Sequence, residues 1–262
     1  PPRSPAGADR PDPGRDRPPA AVIDSRLEVT EGLGRQRAQP MPGAAYVIHT
    51  SGSTGLPKAV VVTRQNVAAL LGAGLDLVEA SSRDVWAWVH SYAFDFSVWE
   101  ILGALASGGS VVVVDRATVR DPPRALAETI VRHGITILSQ TPPTAFSGIV
   151  DLATTPAPPP ELPSLRAVVF GGETLAPKTL RAWAAEHPGT RLVNMYGITE
   201  TTVVLTATDV DLDDERSIIG TPFDGVGWMV LDRRLRPVPT GAAGELYLVG
   251  EQVALGYLNA LG

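Results

Sequence analysis

The chain contains no cysteine, which excludes disulfides, thiolate metal sites and a thiol nucleophile. Its four histidines, His49, His90, His133 and His187, stand far apart without metal-ligand spacing, so none is assigned a catalytic role. No Gly-x-Ser-x-Gly elbow occurs, which leaves a serine hydrolase without support. No apolar run approaches the roughly 18 residues of a membrane span, and nothing resembles a signal peptide, so no membrane partner is expected and the cytoplasm is the default location. Basic residues are the minority, 22 against 28 acidic, for a net charge of −6. That balance argues against a nucleic-acid surface, and any anion must be met locally. What is present is 262 residues with 44% hydrophobic content, enough to fill the core of one large domain or two small ones.

Residues 1–20 hold seven prolines among arginines and aspartates and read as a disordered leader. A short strand is expected over 21–24, and residues 40–43 form a second break. From Ala45 the pattern turns regular, with strands over 45–49 and 59–63 and a helix over 64–75 capped by Thr63. A buried strand over 85–89 precedes a helix running to about Ala106, for which Ser97 and Glu100 have capping-box spacing. Further strands are expected over 111–115, 135–138, 165–170 and 191–195, with helices over 122–133 and 177–186, and residues 156–163 form a proline-dense loop. Strands alternating with helices imply an α/β fold, a parallel sheet covered by helices. After about Val203 strand signals dominate, notably over 228–231 and 245–249. The expected division is therefore an α/β core over 21–202 and a β-rich subdomain of that core over 203–262.

Residues 50–58 combine hydroxyls, glycines and one lysine between two apolar runs. Gly52 and Gly55 let backbone N–H groups crowd around an anion, the hydroxyls of Thr50, Ser51, Ser53 and Thr54 add donors, and Lys58 adds charge. The flanks are strand-like, and Lys58 follows Pro57 and precedes Ala59, so this is not a Walker loop at a helix start. A polar hairpin without ligand is the plainer reading. Ligands in open parallel sheets gather at the carboxyl ends of strands, and four clusters fall there: Phe94-Asp95, 139–141, 171–173 and 194–200.

Asp95 lies in an apolar setting before a helix, where a ligand ammonium is a natural partner, although complementing the helix dipole serves equally. Trp99 lies four residues on, near the same helix mouth. Tyr196 offers a stacking face for a base, Asn194 an amide for its edge, and Glu200 a hard oxygen ligand suited to Mg²⁺. A buried tyrosine beside a capping threonine is the plainer alternative. Gly171-Gly172-Glu173 is compatible with a simple tight turn. The other tryptophans are read as packing residues.

Together, TSGSTGLPK at 50–58, FDFSVWE at 94–100, GGE at 171–173, NMYGITET at 194–201 and GELYLVGEQVALGYL at 244–258 resemble, in order and spacing, the core motifs of amino-acid adenylation domains of nonribosomal peptide synthetases, members of the adenylate-forming superfamily. The resemblance covers residues 44–258. It implies activation of an amino acid as aminoacyl-AMP with ATP and Mg²⁺, then transfer to the phosphopantetheine thiol of a peptidyl carrier protein domain. By similarity, Thr50, Ser51, Gly52, Ser53, Thr54, Gly55 and Lys58 engage phosphate. Gly172, Glu173, Asn194, Tyr196, Gly197 and Thr199 surround the adenine and AMP, while Lys58, Thr199 and Glu200 carry the chemistry and Glu200 holds the metal. Asp95 then binds the substrate ammonium, and Phe96, Trp99, Ser139, Val169, Gly171, Met195, Val203 and Val204 line the side-chain pocket. The doubled proline at 142–143 leaves Gln140 as an alternative to Ser139. The lining is similar to that associated with threonine, although Val204 replaces a more polar residue, so a small β-branched or β-hydroxy amino acid is expected.

Several positions depart from the family pattern: Ala59 replaces a usual glycine, Ile198 a usual proline and Leu255 a common arginine. The family's leading segment, its ribose-gripping aspartate, its hinge and its small C-terminal lid domain with the catalytic lysine have no counterpart, so the chain reads as a partial domain that adenylates poorly alone. An MbtH-like activator accompanies many members, and no residue here compels one. The alternatives are an acyl- or aryl-CoA ligase of the same superfamily and a non-catalytic remnant that binds nucleotide or a partner protein.

Overall fold

The computed structural model describes residues 43–50, 57–115, 118–119, 123–141 and 161–258. The leader, the strand expected over 21–24, residues 51–56 of the phosphate loop and most of the proline-dense loop lie outside the described residues. Within them, β1 (Ala44–Thr50) and β2 (Lys58–Thr63) form an antiparallel pair that sets Thr50 opposite Lys58. The two ends of the candidate phosphate loop are thus held together. Val60, Val61 and Val62 of β2 are fully buried, the consequence of an uninterrupted β-branched run. Helix α1 (Arg64–Leu77) starts at Thr63, whose hydroxyl accepts from the Asn66 backbone while the Asn66 side chain accepts from the Thr63 backbone. Asparagine here completes the capping box in place of the usual glutamate.

The central sheet has seven strands: β3 (Val85–Trp88), β4 (Ser110–Val113), β5 (Ile137–Gln140), β6 (Ala167–Phe170), β7 (Arg191–Tyr196), β8 (Thr206–Asp209) and β9 (Thr221–Pro222). Their spatial order is β4-β3-β5-β6-β7-β8-β9, parallel from β4 through β7 and antiparallel thereafter. Helices α1 and α2 (Phe96–Ala106) pack on one face, where Leu70, Phe96 and Trp99 meet Ile137, Ala167, Val169, Val193 and Met195. Helices α3 (Pro123–His133) and α4 (Arg181–Glu186) cover the other, where Leu126, Ile130 and Trp183 meet Leu138, Val168 and Phe170. Alternate residues of β5 and β6 therefore serve opposite cores, which explains why these strands read as continuous apolar runs. The α/β architecture is the one the alternating pattern predicts.

Trp86 and Trp99 meet edge to face at 5.1 Å, and a Cβ on Gly103 would lie 2.8 Å from the Trp86 ring. Glycine at that position lets α2 settle onto the sheet. After residue 203, β8 and β9 extend the central sheet, β10 (Val226–Leu231) and β11 (Glu245–Gly250) form a separate two-stranded sheet, and β12 (Gly256–Tyr257) returns to pair with β2. The Ser97–Glu100 capping box does not form. Helix α2 starts one residue earlier, Ser97 is buried, and the Glu100 carboxylate turns to the His90 ring at 2.8 Å. There it also accepts the His90 backbone amide at 3.2 Å, so both of these partners come from the segment after β3 and not from the helix end.

Candidate adenylate-forming site

Because β3, β5, β6 and β7 are parallel neighbours, the segments after them share one rim of the sheet. There a cavity of about 290 Å³ is lined by Thr50, Phe94, Asp95, Phe96, Gly172, Gly197, Ile198, Thr199, Glu200, Val203 and Val204. Thr50 at the end of the candidate phosphate loop, the candidate ammonium ligand and the candidate metal ligand thus border one space. Gly197 is required at its place: a Cβ there would collide with the backbone of Val203 and Val204.

Asp95 is 5% exposed and occupies the N-cap position of α2, yet its side chain makes no capping bond. Among the described residues no lysine or arginine pairs with it. Burial raises its carboxyl above the ordinary range, the Thr199 hydroxyl and the Phe96 amide pull the other way, and the nearby Glu200 charge adds to the rise. A carboxylate so placed gains most when a cation arrives. The Tyr46 hydroxyl is buried without a hydrogen-bond partner among the described residues, and burial together with the charge of Asp95 pushes its pKa up. The sequence reading missed Tyr46 because nothing in AAYVIHT distinguishes a site residue from a strand tyrosine.

Behind Asp95, Phe96, Trp99, Val169, Met195, Val203 and Val204 belong to one buried apolar cluster. Trp99 is fully enclosed against Trp86 and α1, so it forms the floor of this region away from the helix mouth. Ser139 pairs in register with Val169, whereas Gln140 pairs with Phe170 on the opposite face. The alternation of a strand therefore puts Ser139 on the α1/α2 face of the sheet and Gln140 on the other, and neither lines the cavity. The Ser139 hydroxyl is 1% exposed as a residue and lacks a hydrogen-bond partner among the described residues. Gly171 lets the Phe96 ring and the Met195 carbonyl approach closely, since a Cβ there would sit 3.1 Å from Phe96 and 3.3 Å from that oxygen.

Other candidates lie apart from this cavity. Asn194 is buried, donates to the Ile218 carbonyl at 2.7 Å and lines a second cavity of about 250 Å³ with Leu175, Asp209 and Arg216. Tyr196 is half-buried at the end of β7 and borders neither cavity, and Glu173 is exposed. Lys58 projects over the ring of Tyr257, 5.1 Å from its centroid. The Tyr257 hydroxyl in turn donates to Glu200 at 2.8 Å. Neither that tyrosine nor the His90 network was identified from sequence, although Tyr257 falls within the GELYLVGEQVALGYL motif. His90 bridges Glu100 at 2.8 Å and the Thr141 hydroxyl at 3.1 Å, and its ring packs near Phe94 and Phe96 at the cavity wall.

Thr202 and Val203 both hold positive φ, 56° and 71°, an uncommon state for β-branched residues and one that tends to accompany functional loops. Gln252 fixes this turn from outside. Its side-chain amide donates to the Val204 carbonyl at 2.6 Å, and its backbone carbonyl accepts from the Thr202 hydroxyl at 2.6 Å.

No helix among the described residues is long and apolar enough to cross a membrane, and none of them form a cluster of three or more metal-ligating side chains. The chain is 44% identical over 236 residues to a dimodular nonribosomal peptide synthase of Bacillus subtilis, covering 87% of this chain and 10% of that protein. It is also 44% identical over 229 residues to syringomycin synthase SyrB1 of Pseudomonas syringae, covering 85% of this chain and 36% of that one. The chain thus spans a minor part of the relatives it matches. The crystal structure of the nonribosomal peptide synthetase FmoA3 superposes with a TM-score of 0.73 at 32% identity, over 82% of this chain and 23% of that one. The family model described as AMP-binding enzyme matches residues 9–258, a span that includes every segment around the cavity, and the chain belongs to that family.

Proposed function

We propose that this chain forms the amino-acid and nucleotide site of an adenylating ligase, which activates a small β-branched amino acid, threonine above all, as its aminoacyl-AMP for loading onto a carrier-protein phosphopantetheine thiol. The observation that carries the reading is Asp95, a buried carboxylate at the cavity wall with no basic partner among the described residues. An ammonium group supplies the missing charge. The Ser139 hydroxyl supports the choice of side chain, because a substrate β-hydroxyl gives it the partner it lacks. Leaving such a hydroxyl unmatched costs about 1–3 kcal/mol, enough to separate threonine from valine.

In the reaction, a substrate carboxylate oxygen bonds to the α-phosphorus of ATP as the bond to the departing pyrophosphate breaks. No protein base is needed, since the carboxylate is already ionised. Asp95 orients the substrate through its ammonium, and the Thr199 hydroxyl, which pulls the Asp95 carboxyl downward, links that anchor to the turn carrying Glu200. Glu200 presents a hard oxygen donor at the cavity and fits Mg²⁺, which when bound would neutralise charge on the triphosphate. Lys58 and Thr50, facing each other across the base of the loop, fit the same anionic group.

The test is amino-acid-dependent exchange of pyrophosphate into ATP by the full-length protein, screened over all proteinogenic amino acids. Threonine should give the highest rate, and Asp95→Ala should remove the amino-acid dependence while nucleotide binding survives. Undiminished exchange in Asp95→Ala would refute the ammonium assignment.

A further inference from the structure

Residues 252–258 cross the site as a strap, and every few residues they bind a different part of it. Gln252 fixes the strained turn at Thr202 and Val203, the Ala254 amide donates to the Glu200 carbonyl at 2.8 Å, the Leu255 amide to the Val61 carbonyl at 2.9 Å, and the Leu258 amide to the Ala59 carbonyl at 2.7 Å. The strap therefore ties the turn bearing Glu200 to the strand that begins at Lys58. Only one of its side chains reaches both charged groups. The Tyr257 hydroxyl donates to Glu200 Oε1 at 2.8 Å, and its ring lies beneath the Lys58 ammonium, 5.1 Å from the centroid.

We infer that Tyr257 is a positioning residue of the nucleotide site, holding the Glu200 carboxylate and the Lys58 ammonium in fixed relation so that a divalent cation and a phosphate chain meet them together. The inference rests on the proposed adenylating function. Two features of the geometry support it. The hydrogen bond occupies Oε1 and leaves the second oxygen of Glu200 for a cation, the usual arrangement in which an outer hydrogen bond orients a ligating carboxylate. The ring lies within the roughly 6 Å over which an ammonium is attracted to an aromatic face, and it restrains an otherwise flexible four-carbon stem. Direct contact between Lys58 and Glu200 would neutralise both charges; a tyrosine between them spaces them while serving each.

The two halves of the side chain separate experimentally. In the full-length protein, Tyr257→Phe removes the hydroxyl and keeps the ring, whereas Tyr257→Leu removes both. Binding of a fluorescent ATP analogue is titrated with Mg²⁺ for each variant, alongside Glu200→Gln, and the KM for the amino acid is measured as an internal control. Tyr257→Phe should raise the Mg²⁺ midpoint about tenfold, the lower end for loss of a partner to a metal ligand. Its Mg²⁺-free nucleotide affinity and its amino-acid KM should stay at the parent values. Tyr257→Leu should show the same Mg²⁺ shift together with a roughly two- to fivefold loss of Mg²⁺-free nucleotide affinity, the scale of an exposed cation–π contact. A midpoint that moves in Glu200→Gln but not in Tyr257→Phe overturns this inference and leaves the function standing. A midpoint unmoved in both overturns the metal site as well. An amino-acid KM that rises in parallel with the Mg²⁺ midpoint in Tyr257→Phe reduces the residue to a general structural role and also overturns it.

Discussion

Strand β3 carries a buried carboxylate near each end, and the two are treated in opposite ways. Asp84, just before the strand, receives the Arg166 guanidinium at 2.7 and 2.9 Å, the Thr136 hydroxyl at 2.8 Å and the Ser81 amide at 2.7 Å. Asp95, beyond the carboxyl end, is equally enclosed but among the described residues has only the Thr199 hydroxyl and backbone amides to lower it. Burial acts on both in the same sense. At Asp84 the arginine and its neighbouring donors outweigh it and hold the carboxyl at about 2, while at Asp95 burial prevails and the carboxyl is raised. The amino-terminal rim of the sheet is thus electrostatically complete, and the carboxyl-terminal rim is left one positive charge short. That asymmetry supports the proposal that the carboxyl-terminal edge is the one that takes the substrate.

The sharpest way to break the contrast is Asp95→Asn, which keeps the shape and removes the charge. Amino-acid-dependent pyrophosphate exchange should fall roughly 10²- to 10³-fold, the scale of losing one partner of an enclosed charge pair, with nucleotide affinity unchanged. Activity near the parent level would make the two ends equivalent. At the other end, Asp84→Ala should destabilise the fold by about 2–3 kcal/mol in denaturant unfolding, since it leaves the Arg166 charge without its carboxylate and only the Val78 and Glu79 carbonyls as acceptors, while the amino-acid KM is unaffected.

Acid titration sharpens the comparison because the signs differ. Asp84 has a folded pKa below its unfolded value, so its contribution is complete above about pH 4 and is lost as the pH falls toward 2, amounting to about 1–2 kcal/mol after allowance for the partly exposed arginine. Asp95 has a raised folded pKa, so its favourable contribution exists below the unfolded value near 3.9 and disappears as the pH rises through the folded one. The smallest effect follows from that. Asp95→Asn should melt slightly higher than the parent protein at pH 7, and the gain should vanish below about pH 4, the unfolded carboxyl value. A variant that is less stable than the parent at neutral pH would show that the ionised aspartate has a partner after all.

Local signals located much of this molecule. The apolar runs of β5, β6 and β7, the Thr63 cap and the glycine at 197 are all readable from residue type and period, because each answers to sterics or burial within a few neighbours. The Ser97–Glu100 spacing misled for a definite reason: a capping box competes with tertiary partners, and the His90 imidazole, ten residues away in sequence, bonds the carboxylate in the interior. Spacing alone could not say which face of the sheet Ser139 and Gln140 each serve, and the register against Val169 and Phe170 puts them on opposite faces. Tyr257 was invisible as a site residue since its partners, Glu200 and Lys58, lie 57 and 199 positions away.

By itself the sequence determined the alternating α/β order, the two strands that flank residues 51–57 and the carboxylates available for chemistry, since composition and periodicity act over short range. Only the tertiary structure decided which carboxylate meets a guanidinium and which is left without one, and which tyrosine stands between the lysine and the glutamate. Those outcomes depend on strand order and on a returning C-terminal segment, and burial gives a charge its meaning only once its neighbours in space are fixed.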